Sequence, residues 1–190
     1  MTGSYESLPA NLPEPIDDGA CDHLIGMSLP DISLPATTGG EVNLFRQAGT
    51  IVVYIYPMTG RPGVALPQGW DDIPGARGCT PQSCAYRDAY QSIREAGADG
   101  LYGLSSQDTA WQSELAGRLH LPFPVLSDAA LHFATALSLP TFTVEAKTLI
   151  KRLTLIARRG QIEAVHYPVF PSDSDPSWVL KNLLINHKQV

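Results

Sequence analysis

Along the chain, apolar positions fall into short runs with two distinct periods, and their order predicts the layers of the fold. Ile51-Val-Val-Tyr-Ile-Tyr56 is a continuous β-branched and aromatic run of the kind expected for a central strand buried on both faces, and it stops at Pro57. Before it, weak alternation over Ser28 to Leu34 and again over Val42 to Leu44, with turn residues Thr38-Gly39-Gly40-Glu41 between, predicts an N-terminal hairpin at the edge of the domain. After it, Tyr86, Tyr90 and Ile93 recur at helical spacing with charged residues elsewhere, and Gly97 supplies a stop. Leu101 to Leu104 reads as a strand. Ser106-Gln107-Asp108 opens a helix to about Leu119, Pro122 to Leu126 forms another short strand, and Asp128 starts a helix through about Leu137. Leu149 to Ala157 and Gln161 to Val165 form a hairpin joined by Arg158-Arg159-Gly160, and Pro176 opens a last helix with apolar positions from Trp178 to Ile185. Strands alternating with helices in this way give a three-layer α/β domain with a mixed central sheet flanked by helices.

Two stretches fall outside the pattern. Residues 1–25 are rich in Pro, Gly, Asp and Ser and read as an N-terminal arm, leaving 26–190 as the folded domain. Cys21 lies in that arm and reads as an incidental surface thiol, with a resolving role as the minor alternative. Residues 57 to 79 hold too many prolines and glycines for a regular element, and a loop of that length in a small domain is either functional or a surface insertion.

Composition narrows the function classes. A chain of 190 residues fits one domain with a substantial core, and a net charge of −6 argues against a nucleic-acid surface or a polybasic membrane anchor. Apolar runs such as Ile51 to Tyr56 are far too short to cross a bilayer. Three cysteines do not make a disulfide scaffold, and no basic, apolar leader is evident, so a cytoplasmic, reducing compartment is expected. There, a close cysteine pair is catalytic or metal-binding more often than structural. The five histidines are scattered and none stands near that pair in sequence, which gives a zinc site poor support.

The pair is Cys79 and Cys84, within Gly75-Ala-Arg-Gly-Cys-Thr-Pro-Gln-Ser-Cys84. Thr80 as N-cap and Pro81 at the first helical position would place Cys79 at the mouth of a helix. Unpaired backbone N–H groups and the positive end of the helix favour an anion there, so the thiol is expected to be partly thiolate near neutral pH, with Arg77 acting in the same direction.

Cys79-Thr-Pro-Gln-Ser-Cys84 with Tyr86-Arg87-Asp88, after a strand closed by Tyr56-Pro57, resembles the peroxiredoxins, and within them the bacterioferritin comigratory protein subgroup. Leu29-Pro30-Asp31, Leu126-Ser127-Asp128, and Arg152 to Ile156 with Gly160 extend the likeness over about residues 26 to 166. The resemblance implies a thioredoxin-like fold and a thiol-dependent peroxidase acting on hydrogen peroxide or alkyl hydroperoxides. Cys79 would be the peroxidatic residue, Cys84 would resolve its sulfenic acid to an intramolecular disulfide, and Arg152 would be the strand-borne arginine that holds the thiolate and polarises the peroxide. Pro57 and Thr80 would line the substrate pocket. No cofactor or metal is implied, the partners are a peroxide and a thioredoxin- or glutaredoxin-type reductant, and the protein would be a monomer or homodimer. Two other readings of the pair are a peroxide-responsive redox sensor with little turnover and a protein thiol–disulfide oxidoreductase, the latter disfavoured because such enzymes space the pair as CxxC.

One departure stands out. Where the family carries a threonine three residues before the peroxidatic cysteine, this chain has Ala76, leaving Thr59 or Thr80 to supply a hydroxyl. In a regular helix, cysteines five apart have Cα atoms roughly 8 to 9 Å apart, and a disulfide needs less than about 7 Å. Forming it therefore requires the first turn to unwind.

Overall fold

The computed structural model describes Leu8 and residues 11–186, so most of the first ten residues of the expected arm lie outside it. A five-stranded mixed sheet organises the rest. Its strands are β3 (Thr50–Ile55), β4 (Gly100–Ser105), β5 (Val125–Ser127), β8 (Leu153–Arg158) and β9 (Gln161–His166), in the order β5-β4-β3-β8-β9. The pairs β3/β4 and β4/β5 are parallel, whereas β3/β8 and β8/β9 are antiparallel. Beside it lie two antiparallel hairpins, β1 (Ser33–Pro35) with β2 (Glu41–Asn43), and β6 (Thr141–Val144) with β7 (Lys147–Ile150).

Period-two alternation in β3 explains the layers. Ile51, Val53 and Ile55 enter a core cluster with Leu24, Leu34 and Phe133, under the β1–β2 hairpin and the short helix α3 (His132–Ala136). Val52, Tyr54 and Tyr56 enter the opposite cluster, covered by α1 (Cys79–Glu95), α2 (Thr109–Leu119) and α4 (Asp175–Asn186). Every residue of β3 is buried, as the continuous apolar run requires. The result is the three-layer thioredoxin-like arrangement expected from the element order. Among the described residues, no helix is long and apolar enough to cross a membrane.

Four expectations need correction. Cys21 is not on the surface: it is 4% exposed and packs with Leu24 in the first cluster, where burial and the nearby Asp18, Asp17 and Asp22 push its thiol up to about 12. The apolar run from Leu149 to Ala157 is two strands rather than one. It breaks at Lys151-Arg152, and its first half pairs with β6, an element missed because the turn Glu145-Ala146 takes positive φ at both residues without glycine or asparagine to announce it. Asp128 does not itself begin a helix. Its carboxylate accepts the N–H groups of Phe133 and Ala134, capping a helix that starts four residues later. The long loop contains a 3-10 turn, Trp70–Asp72, and is packed: Met58, Trp70 and Ala76 are buried against Val144 and Leu149 in a third small core.

Candidate active site

Helix α1 begins two residues earlier than expected. Gly78, with φ of 104°, is the N-cap; its carbonyl accepts the N–H of Gln82 at 3.0 Å, which makes Cys79 the first helical residue and Thr80 a buried member of the first turn rather than its cap. Only glycine fits at Gly78, for two reasons. The φ is left-handed, and a Cβ would collide with Ser172 Oγ, whose hydroxyl donates to the Gly78 carbonyl at 2.9 Å. The 3-10 turn Ser172–Ser174, just before α4, thus clamps the start of α1 from outside.

Cys79 is 3% exposed and its sulfur faces two groups. Arg152 Nη2 donates to Sγ at 3.1 Å, and Sγ lies 3.5 Å from the Ala76 carbonyl. Arg152 sits in the two-residue break ahead of β8, not within a strand. The alternation of β8 explains its direction: Thr154 and Ile156, two and four residues on, face α1, so Arg152 does too, while Lys151 turns outward to Asp18 at 2.9 Å. Arg152 is 3% exposed, and the same Nη2 also donates to the carbonyls of Gly75, Ala76 and Arg77 at 3.2, 3.2 and 3.0 Å. Nη1 donates to Gln82 Oε1. Arg77, expected to assist the thiol, engages Asp71 at 3.1 Å with its own guanidinium. A buried guanidinium and a helix N-terminus on one sulfur both favour negative charge there.

Cys84 lies in the same helix, on its partly buried side, and no disulfide joins the three cysteines. Thr80 and Thr59 line one small cavity with Cys79, Met58 and Trp70, whose volume of about 10 Å³ holds roughly one water. The Thr59 hydroxyl donates to Gln107 Oε1 at 3.0 Å, leaving its oxygen able to accept. Pro57 is placed elsewhere, lining a groove of about 320 Å³ with Arg152, Phe142 and Tyr167. Among the described residues, no group of three His, Cys, Asp or Glu side chains is arranged to hold a metal ion.

Sequence reasoning missed the polar residues behind Arg152. Gln82 stands three residues after Cys79, a spacing that puts both on one helix face and could have flagged it. Asp175, Thr154 and His166 come together with Gln82 and Tyr86 only through the tertiary fold.

Three kinds of similarity bear on this arrangement. A family model described as Redoxin matches residues 24–183. Peroxiredoxin Q, chloroplastic, from Oryza sativa subsp. japonica is 36% identical over 104 residues, which is 54% of this chain and 41% of that protein. Its counterpart from Gentiana triflora is 32% identical over 128 residues, 64% of this chain and 52% of that one. The chain therefore spans about half the length of the curated relatives it matches. Among solved structures, peroxidoxin BcpB from Mycobacterium tuberculosis superposes with a TM-score of 0.67 at 24% identity, covering 84% of this chain and 95% of that one. The Xanthomonas campestris bacterioferritin comigratory protein, in a study of its alkyl peroxide reduction, superposes with a TM-score of 0.65 at 18% identity, covering 93% and 99%.

Proposed function

The chain belongs to the Redoxin family, and from that premise we propose that it is a thiol-dependent peroxidase of the peroxiredoxin Q and bacterioferritin comigratory protein type, reducing hydrogen peroxide or small alkyl hydroperoxides. The observation that carries this reading is the 3.1 Å contact between Arg152 Nη2 and a buried Cys79 sulfur at a helix N-terminus. The Cys79 thiolate attacks the terminal peroxide oxygen; an S–O bond forms, the O–O bond breaks, and the departing oxygen takes a proton to leave as water or alcohol. Its negative charge develops where the Arg152 guanidinium and the first backbone N–H groups of α1 can oppose it. Arg152 Nε has no hydrogen-bond partner among the described residues, which leaves one donor for a peroxide oxygen.

The product is a Cys79 sulfenic acid. Attack by the Cys84 thiol expels water and forms the Cys79–Cys84 disulfide, which two electrons from a thioredoxin- or glutaredoxin-type dithiol return to the reduced pair. In this reading residues 26–190 are the catalytic domain, residues 1–25 an arm, and the protein works in the cytoplasm as a monomer or homodimer. Oxidation of NADPH coupled through thioredoxin and its reductase, with hydrogen peroxide or cumene hydroperoxide, tests it. Turnover that vanishes in Cys79→Ser supports the proposal; wild-type turnover no greater than that of Cys79→Ser overturns it.

A further inference from the structure

Behind Arg152 runs a hydrogen-bonded chain that leads from the sulfur to the surface. The buried amide of Gln82 bridges two groups of opposite character: its oxygen accepts from Arg152 Nη1, and its Nε2 donates to Asp175 Oδ2 at 2.8 Å. That orientation is forced by chemistry, because a guanidinium can only donate and a carboxylate only accept. Asp175 is fully buried at the start of α4, and its Oδ2 also receives Tyr86 OH at 2.8 Å and Thr154 Oγ1 at 2.7 Å. Its Oδ1 takes the Nδ1–H of His166 at 2.8 Å, and that imidazole stacks on Trp178 with centroids 4.7 Å apart.

We propose that Asp175 is a positioning residue for Cys79: its carboxylate, anchored by His166, holds the Gln82 amide in the one orientation that offers an acceptor to Arg152 and so aims the guanidinium at the sulfur. The proposal rests on Cys79 being the reacting thiol of the proposed peroxidase. Water cannot stand in for Gln82 or Asp175, since both are fully buried. With an amide in place of the carboxylate, the four donors around position 175 outnumber its acceptor sites, and Gln82 is free to turn its NH2 toward the guanidinium. Two donors then face each other, and Arg152 loses its hold.

A purely electrostatic role predicts the opposite sign. Taking a negative charge from the neighbourhood of a thiolate favours that thiolate, so a carboxylate acting only as a charge would make Cys79 more reactive when replaced. The titratable groups facing Asp175 are Tyr86 from α1 and His166 from β9, with Arg152 and Cys79 beyond Gln82. Burial and the Asp175 charge hold the Tyr86 hydroxyl well above the ordinary phenol range, so it stays a donor throughout.

The test is the pH profile of Cys79 alkylation by iodoacetamide in a Cys84→Ser background, together with the stopped-flow rate of oxidation by hydrogen peroxide. Asp175→Asn is expected to slow both by on the order of 10- to 100-fold and to move the midpoint of the profile upward, the scale set by a displaced catalytic group. His166→Phe, which keeps an aromatic ring over Trp178 but no donor, shifts both in the same direction by less, and His166→Gln restores part of the loss. Should Asp175→Asn not fold, His166→Phe carries the test, its site being partly open to solvent. Unchanged or faster alkylation with an unchanged or lower midpoint, in whichever of the two folds, overturns the proposal. Because alkylation needs neither peroxide nor reductant, an absence of peroxidase turnover in the wild-type protein would strike the proposed function and leave this measurement standing.

Discussion

Replacing Arg152 by methionine keeps most of the side chain's length and removes its charge and all its donors. Arg152 Nη2 approaches the sulfur at 3.1 Å, and two unit charges about 4 Å apart at the effective dielectric of a partly screened site interact by about 4 kcal/mol. Part of that is recovered without Arg152, because water entering the vacated site solvates the anion, while the helix N-terminus, worth roughly 0.3 to 2 kcal/mol to an anion at its first turn, is the same in both proteins. The net loss of thiolate and leaving-group stabilisation is therefore about 2 to 4 kcal/mol, or roughly 30- to 10³-fold in the rate of peroxide attack. Arg152→Lys separates charge from geometry. A lysine keeps the cation but cannot at once satisfy the Gln82 oxygen, the three carbonyls of residues 75 to 77 and the sulfur, so it falls between wild type and Arg152→Met. The assay is stopped-flow tryptophan fluorescence, for which Trp70 is a natural reporter because it lines the same cavity as Cys79. Thermal melting runs beside it, since losing the donor to three carbonyls costs stability as well. An Arg152→Met protein that melts as a folded domain yet is oxidised at the wild-type rate refutes the assignment of Arg152 to the chemistry.

Three further outcomes are expected. In the reduced protein Cys79 and Cys84 share one regular helix, so oxidation should raise amide hydrogen exchange across residues 78 to 90; exchange that does not change on forming the disulfide contradicts the unwinding step. Gly78→Ala forces a left-handed alanine against Ser172 Oγ, and is expected to destabilise the domain by about 1 to 3 kcal/mol, read as a fall in melting temperature, and to slow peroxide attack through the displaced first turn. Cys21, whose thiol burial pushes up to about 12, favours the protonated form when folded; stability linked to it is full below about pH 9 and falls as the pH rises toward 12, a decline that Cys21→Ala should flatten in urea titrations at pH 9 to 11, and one that persists unchanged in Cys21→Ala would contradict the burial.

Much of this fold is legible in the sequence because its signals are local. Ile51 to Tyr56 is a run that only a strand buried on both faces accommodates, and the cysteine spacing with its following helix is enough to mark the turn that carries the candidate site. Parity says only that Lys151 and Arg152 face opposite ways; which of them faces inward follows from the register of β8 in the structure. What escapes is what depends on a break or a long-range meeting. The β6–β7 hairpin turns on Glu145-Ala146, residues with no turn chemistry of their own, and the apolar run across Leu149 to Ala157 hides the point where the chain leaves one sheet for another. Asp175 is the sharpest case. An aspartate ahead of a proline at a helix start has a sufficient local explanation as a capping residue, and nothing nearby contradicts it. Only its burial, with Gln82, Tyr86, Thr154 and His166 all turned toward it, shows that its oxygens are committed to the site 96 positions back along the chain, counting from 175 to 79. A local reading stops at the first adequate cause, and a buried carboxylate with more donors than a cap requires is the structural sign that a second one is present.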